Sequence, residues 1–167
     1  GPDFASSGDD AGTTLTKSPN DGMVTVPFRA EFFTLGEIGA DAPNVDCGAD
    51  LVEDVHQGRG EATHLGRFSI YGAHCLELTI PPEPLPYSSG FFTLTAANGD
   101  ELWIETSGVV VPSDDSNYAF EFSDPCEFVG GTGRFEGTRG TGTCSGKVGA
   151  GRVDHVWSGE LTVPRGK

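Results

Sequence analysis

Between Met23 and Leu35 the apolar residues Val24, Val26, Phe28, Ala30 and Phe32 share one parity, and Thr25, Arg29 and Glu31 share the other. A repeat of two places successive side chains on opposite faces of an extended backbone, so this run is a half-buried strand. The same signature returns in Tyr118, Phe120 and Phe122, and again in His155, Trp157 and Leu161. Each run is short and is cut off by Gly, Pro or Asn before a helical repeat of 3.6 can develop. Pro27 removes one ladder donor, so its strand is expected to bend, start late or lie at an edge.

The remaining segments follow from their punctuation. Gly36 to Gln57 has no period, carries Asp41, Asp46, Asp50, Glu53 and Asp54, and reads as a long acidic loop held by Cys47. Ala62 to Tyr71 and Cys75 to Ile80 read as strands, with His64, Phe68 and Ile70 on one face of the first. The proline-rich residues 81–86 read as an extended linker. Phe91 to Ala97 and Glu101 to Val111 are joined by Asn98-Gly99, whose tolerance of positive φ suits a two-residue hairpin turn. Phe128 to Phe135, Thr141 to Val148 and Val153 to Val163 complete seven to eight strands.

A chain of 167 residues supports one domain with a core. Residues 1–20 read as a tag scar and flexible tether, with Gly1-Pro2 as the protease-cleavage remnant and a leader already removed; residues 21–167 read as a single β-barrel domain. Many short strands at near-regular spacing imply a barrel or a β-sandwich, and closure into an antiparallel barrel removes the exposed edges.

The net charge of −15 disfavours nucleic acid and anionic lipid surfaces as partners. No apolar run is long enough for membrane insertion. Four cysteines without a CxxC pair point to disulfides. Of the three pairings that four cysteines allow, Cys47–Cys75 with Cys126–Cys144 is the most local; four buried free thiols are the alternative. Disulfides would place the chain in an oxidising compartment, secreted, periplasmic or at the cell surface.

The run Gly130-Gly131-Thr132-Gly133-Arg134-Phe135-Glu136-Gly137-Thr138-Arg139-Gly140-Thr141-Gly142-Thr143 resembles a segment of the allene oxide cyclase barrel and dirigent-like proteins. Asn98-Gly99-Asp100-Glu101-Leu102 and Trp157-Ser158-Gly159-Glu160-Leu161 extend the resemblance over about residues 60–163. The upstream residues 60–68 look more like bacterial secreted members. The resemblance implies an eight-stranded antiparallel barrel, a homotrimer or homodimer, and cofactor-free cyclisation or steering of an apolar substrate. The plant cyclase's catalytic residues do not map onto this chain position by position. On physical grounds alone the glycines serve tight turns and close strand approach, not a phosphate cradle.

For function, the expected occupant is a small apolar molecule, lined by Phe28, Phe32, Phe68, Phe92, Trp103, Phe120 and Trp157. His64 and His155 share the apparent inward parity, which makes them candidate acid or base groups with Glu105 or Tyr118 as partner. An enzyme of this kind would be a cofactor-free cyclase or isomerase. The alternative is a non-enzymatic structural or interaction protein at the cell surface with a packed barrel. The histidines His56, His64, His74 and His155 show no His-x-His or HExxH spacing, so no metal is expected, and no cofactor. No GxSxG elbow supports a hydrolase triad.

Overall fold

The computed structural model describes residues 22–41, 45–78 and 84–165; the expected tag scar and tether, the first half of the proline-rich linker and the last two residues lie outside them. Eight strands run β1 (Met23–Ile38), β2 (Val52–Ala62), β3 (Gly66–Leu76), β4 (Leu85–Ala96), β5 (Glu101–Pro112), β6 (Phe120–Gly131), β7 (Arg139–Val148) and β8 (Val153–Pro164). Each pairs antiparallel with its neighbour in sequence, and β8 returns to β1, so the sheet closes into a barrel without edges and the sandwich is excluded. Among the described residues the only helical turn is Gly133–Phe135.

Several expectations about strands are corrected: Cys75 belongs to the end of β3, which stops at Leu76, and Phe128 continues β6, which stops at Gly131 before the helical turn at Phe135. The acidic loop after β1 is shorter than Gly36 to Gln57, because β1 continues to Ile38 and β2 begins at Val52. Residues 62–71 are not one strand: Thr63, His64 and Leu65 form the β2–β3 turn, with His64 at φ +68° and Gly66 at +67°. At the other end of the proline-rich segment, Leu85 and Pro86 already belong to β4, which starts ahead of Phe91. The hairpin through Asn98-Gly99 joins β4 to β5 as expected, closed by bonds between Ala96 and Asp100 and from Gly99 to Ala96, but only Gly99 of the pair takes a positive φ, at +95°, so the turn is not the two-residue one. Pro27 sits where β1 is paired with β8 but not yet with β2, whose ladder starts at Ala30, so its missing donor disturbs only one side.

The interior is divided along the barrel axis. In the half bearing the β2–β3, β4–β5 and β6–β7 turns, Phe28, Phe68, Leu94, Leu102, Ile104, Phe128 and Leu161 fill the space, each 4% exposed or less. Phe28 meets Phe128 edge-on at 5.0 Å between ring centroids, a favoured arrangement of aromatic quadrupoles. The glycine-rich run seals this end: Gly131 leaves β6, the turn Gly133–Phe135 folds under, and Phe135 enters the core at 2% exposure. Gly133 has φ +58°, and a Cβ there would lie 2.0 Å from Asp100 Oδ1, so both backbone and space demand glycine.

Where the aromatic rings cross the barrel, the facing strand is glycine. A Cβ on Gly60 would come within 2.3 Å of Phe32 Cβ, and one on Gly72 within 2.4 Å of Phe92 Cδ1. Large side chains opposed to none keep the interior filled without forcing the strands apart.

Cys47 and Cys75 form a disulfide that ties the β1–β2 loop to β3. The local pairing of Cys126 with Cys144 is overturned: both are free, buried thiols. In the β6–β7 ladder Cys126 faces Gly142 and Cys144 faces Asp124, which makes the cysteines diagonal neighbours. Diagonal positions stand roughly 7–8 Å apart, at or beyond the Cα separation a disulfide spans. Burial, then the hydrogen bond with Cys126, pushes the Cys144 thiol well above its ordinary range, so it stays protonated. The remaining disulfide, and the absence of any helix among the described residues long and apolar enough to cross a membrane, are compatible with an extracellular protein.

Candidate active site

At the end opposite the plug, the barrel is hollow. The cavity measures about 390 Å³ and is lined chiefly by apolar side chains, among them Ile70, Phe92, Phe120, Phe122 and Trp157, with the β7–β8 loop Gly149–Arg152 at its rim. Most of its polar groups come from the adjacent strands β8, β1, β2 and β3, with Tyr87 of β4 and Thr106 of β5 beside them. Thr34, Asp54, His56, His74 and His155 all line it.

Register explains the gathering. On β2, Asp54 and His56 are two residues apart and so share the inward face, and His74 on β3 is the direct cross-strand partner of Asp54. His56 is flanked by glycine on both sides, Gly36 on β1 and Gly72 on β3. A Cβ on Gly36 would approach His56 Cε1 to 2.9 Å, so the glycine is what lets the imidazole lie against the wall.

A continuous polar line results. His155 Nε2 is 2.8 Å from Thr34 Oγ1, and Thr34 Oγ1 is 3.1 Å from His56 Nδ1. His56 Nε2 lies 3.1 Å from Asp54 Oδ2, and His74 Nε2 lies 3.4 Å from the same oxygen. One proton arrangement satisfies every link with neutral rings: His155 Nε2–H donates to Thr34, the Thr34 hydroxyl to His56 Nδ1, and His56 and His74 Nε2–H to the carboxylate. The Nδ1 atoms of His74 and His155 are buried without a hydrogen-bond partner.

Burial acts on these groups in opposite directions. It lowers His74 to about 4, against which the Asp54 charge pulls upward only in part. It lowers His155 to about 3, helped by the nearby His56 and His74. Asp54 is raised by burial, but the His56 hydrogen bond, followed by the electrostatic attraction of His56 and His74, outweighs that and holds it below the usual carboxylate range. The wall therefore presents an ionised carboxylate beside neutral imidazoles at His74 and His155 near neutral pH.

Next to the wall on β4, the Tyr87 hydroxyl donates to Asp124 Oδ2 at 2.7 Å, and its ring packs against His74 at 4.9 Å between centroids. Burial, followed by the Asp124 hydrogen bond, raises Tyr87 far above the ordinary phenol range, so it serves as a neutral donor.

Of the four expected acid or base residues, His155 alone is here. His64 is in the β2–β3 turn at the plugged end, with its Nε2 2.9 Å from the Pro27 carbonyl oxygen. Glu105 is exposed and follows the inward Ile104, so it projects from the outer surface of β5. Tyr118 lies in the β5–β6 loop and donates to Asp154 at 2.7 Å, away from the cavity lining.

Of the seven expected lining aromatics, Phe92, Phe120 and Trp157 line the cavity. Phe28 and Phe68 belong to the packed half, and Phe32 forms the boundary, stacked on His155 and edge-on to Trp157. Trp103 has the outward parity of β5, with its Nε1–H on Glu101. Thr34, Asp54, His56, His74, Tyr87 and Phe122 were not anticipated as site residues. The usable signal was the Asp54-x-His56 alternation, which in a segment read as loop counts only as solvated charge.

No protein-family model matches the chain, and no curated protein matches it in sequence. Among solved structures it is similar to the pterocarpan synthase dirigent protein GePTS1, at 12% identity over 87% of each chain with a TM-score of 0.49. It is also similar to the pterocarpan synthase dirigent protein PsPTS1, at 15% identity over 87% of this chain and 96% of that one, with a TM-score of 0.47. At that distance the likeness assigns no activity and no residue role. The closed eight-stranded antiparallel barrel implied by the glycine motif's resemblance is the fold of this chain.

Proposed function

We propose that this protein takes a small, largely apolar molecule into the open half of its barrel and holds one polar group of it against the Asp54, His56, His74 and His155 wall. The observation that carries the reading is the cavity of about 390 Å³, a size within the range of small-molecule sites, with apolar walls and convergent polar groups on one side. A barrel packed shut for a structural role would continue the Phe and Leu filling to both ends. Here the filling stops at Phe32 and Trp157.

The chemistry that such a wall supplies is proton transfer. Asp54 is the base-like group, and the Thr34 hydroxyl connects two imidazoles through which a proton can be relayed. Cyclisation and isomerisation redistribute bonds and protons without net addition of atoms, which suits a site of confinement plus acid–base groups. The Cys47–Cys75 disulfide supports secretion into an oxidising compartment.

The test uses Trp157 as reporter. With Trp103→Phe, Trp157 is the remaining tryptophan of the chain's two. Titration with unsaturated fatty acids and with phenolic aromatics should shift its emission saturably and raise the melting temperature. Occupancy at one hundred times Kd corresponds to roughly 2.7 kcal/mol of added stability. Unchanged emission and unchanged melting up to the solubility limit of both ligand classes would overturn the reading.

A further inference from the structure

We infer that Asp54, His56 and His74 bind a first-row divalent transition-metal ion at the inner wall of the cavity, with its open coordination positions directed at the enclosed molecule. This departs from the sequence expectation of no metal, and it deepens the proposed function by naming what would hold the polar group of the occupant.

The geometry is the argument. One ligand atom from each of the three residues lies within 4.8 Å of the others. Both imidazole Nε2 atoms converge on a single carboxylate oxygen, at 3.1 Å from His56 and 3.4 Å from His74. Ligands at 2.0–2.2 Å from a shared tetrahedral ion sit about 3.3–3.5 Å from one another, so the set needs little movement to accept one. By contrast 3.4 Å is long for a hydrogen bond to a carboxylate. Two imidazoles and one carboxylate suit zinc, iron or cobalt, and three protein ligands leave room for water or substrate.

The support around the ligands has the same character. All three stand on strands in fixed register, and their side chains are only 11–14% exposed. Thr34 is placed at the far nitrogen of His56, 3.1 Å from Nδ1, where a metal-ligating histidine commonly meets a hydrogen-bonding group that fixes its tautomer. With the ion bound, His56 turns its Nε2 lone pair to the metal and carries its proton on Nδ1. Thr34 then accepts from His56 and donates to His155, so the line of hydrogen bonds runs in the reverse sense.

The experiment is titration of the chelator-treated full chain with Co²⁺, read by visible absorption and calorimetry. The expected result is one ion per chain with ligand-field bands, lost in Asp54→Asn and in His74→Gln, and retained in His64→Gln. Thr34→Val should weaken binding about 10- to 100-fold. Where a variant does not fold, the unmodified protein answers by NMR: hyperfine-shifted imidazole protons must come from His56 and His74 and not from His64. Absence of stoichiometric binding, survival of binding in folded His74→Gln, or shifts arising from other histidines would overturn the inference. The metal-free protein still quenching at Trp157 with apolar ligands would then leave the proposed function standing, and loss of both would end both.

Discussion

Phe32 on β1 and His155 on β8 are direct cross-strand partners whose rings lie face to face, 4.5 Å between centroids and 7° between planes. This pair marks the level at which the filled half of the barrel gives way to the hollow half. Phe32 also meets Phe68 and Trp157 edge-on, so one side chain supports both the packed floor and the polar wall above it.

Truncation at that level should be costly and visible. Phe32→Ala removes a ring that is 7% exposed, and the expected loss is about 3–5 kcal/mol in a urea titration. The void adjoins the cavity, so bulkier apolar ligands should gain affinity relative to small ones. Equal stability to the parent chain would contradict the division of the interior described here.

The opposite perturbation acts on the facing strand. A methyl on Gly60 would lie 2.2 Å from the Glu31 carbonyl oxygen and 2.3 Å from Phe32 Cβ. Backbone must move to admit it, and Gly60→Ala is expected to cost about 1–3 kcal/mol or more. Gly151→Ala, in a loop where an added Cβ meets nothing within 4 Å, is the matched control and should unfold at the parent's midpoint.

His155 sets an acid limit on stability. Burial holds its folded value at about 3 against an ordinary 6.5, so below 6.5 the unfolded chain takes up a proton that the folded barrel refuses. More protons on the unfolded state means that stability rises with pH. This contribution is therefore complete above about 6.5 and is eroded as pH falls toward 3. Phe32, Phe122 and Trp157 surround the ring, Thr34 bonds its Nε2, and the nearby His56 on β2 and His74 on β3 reinforce the shift. His155→Phe should flatten the acid limb of a stability-against-pH profile by about a single proton; an unchanged slope would count against a neutral buried imidazole.

Thiol chemistry separates the two cysteine pairs. Denatured, unreduced protein should titrate Cys126 and Cys144 alone, and native protein should react slowly at both because each is buried. Cys47→Ser opens a loop with a sequence separation of 28 and should cost about 3–4 kcal/mol. No titratable thiol in the denatured chain would restore the second disulfide.

What the sequence revealed depended on where apolar residues face inward. β1, β6 and β8 display Phe28, Ala30 and Phe32, Phe120 and Phe122, or Trp157 and Leu161 on a single parity, and periodicity finds them. The inward face of β2 is Asp54, His56, Gly58, Gly60 and Ala62, opposite Ile38, Gly36, Thr34, Phe32 and Ala30 of β1. Polar groups and glycines carry no hydrophobic signal, so this strand looked like a loop, and the wall it carries went unseen. His64 misled for a related reason: its parity was counted along a strand that is interrupted by a turn. Glu105 and Trp103 lie on β5 as expected, on its outer face.

An even number of up-and-down strands brings Met23 and Pro164 together as register partners beside the sealed floor. The aperture consequently points away from both of those positions. Coupling the barrel to a bead or an electrode through either one would leave the chamber facing the bulk solution, an orientation that comes from strand count and needs no engineering.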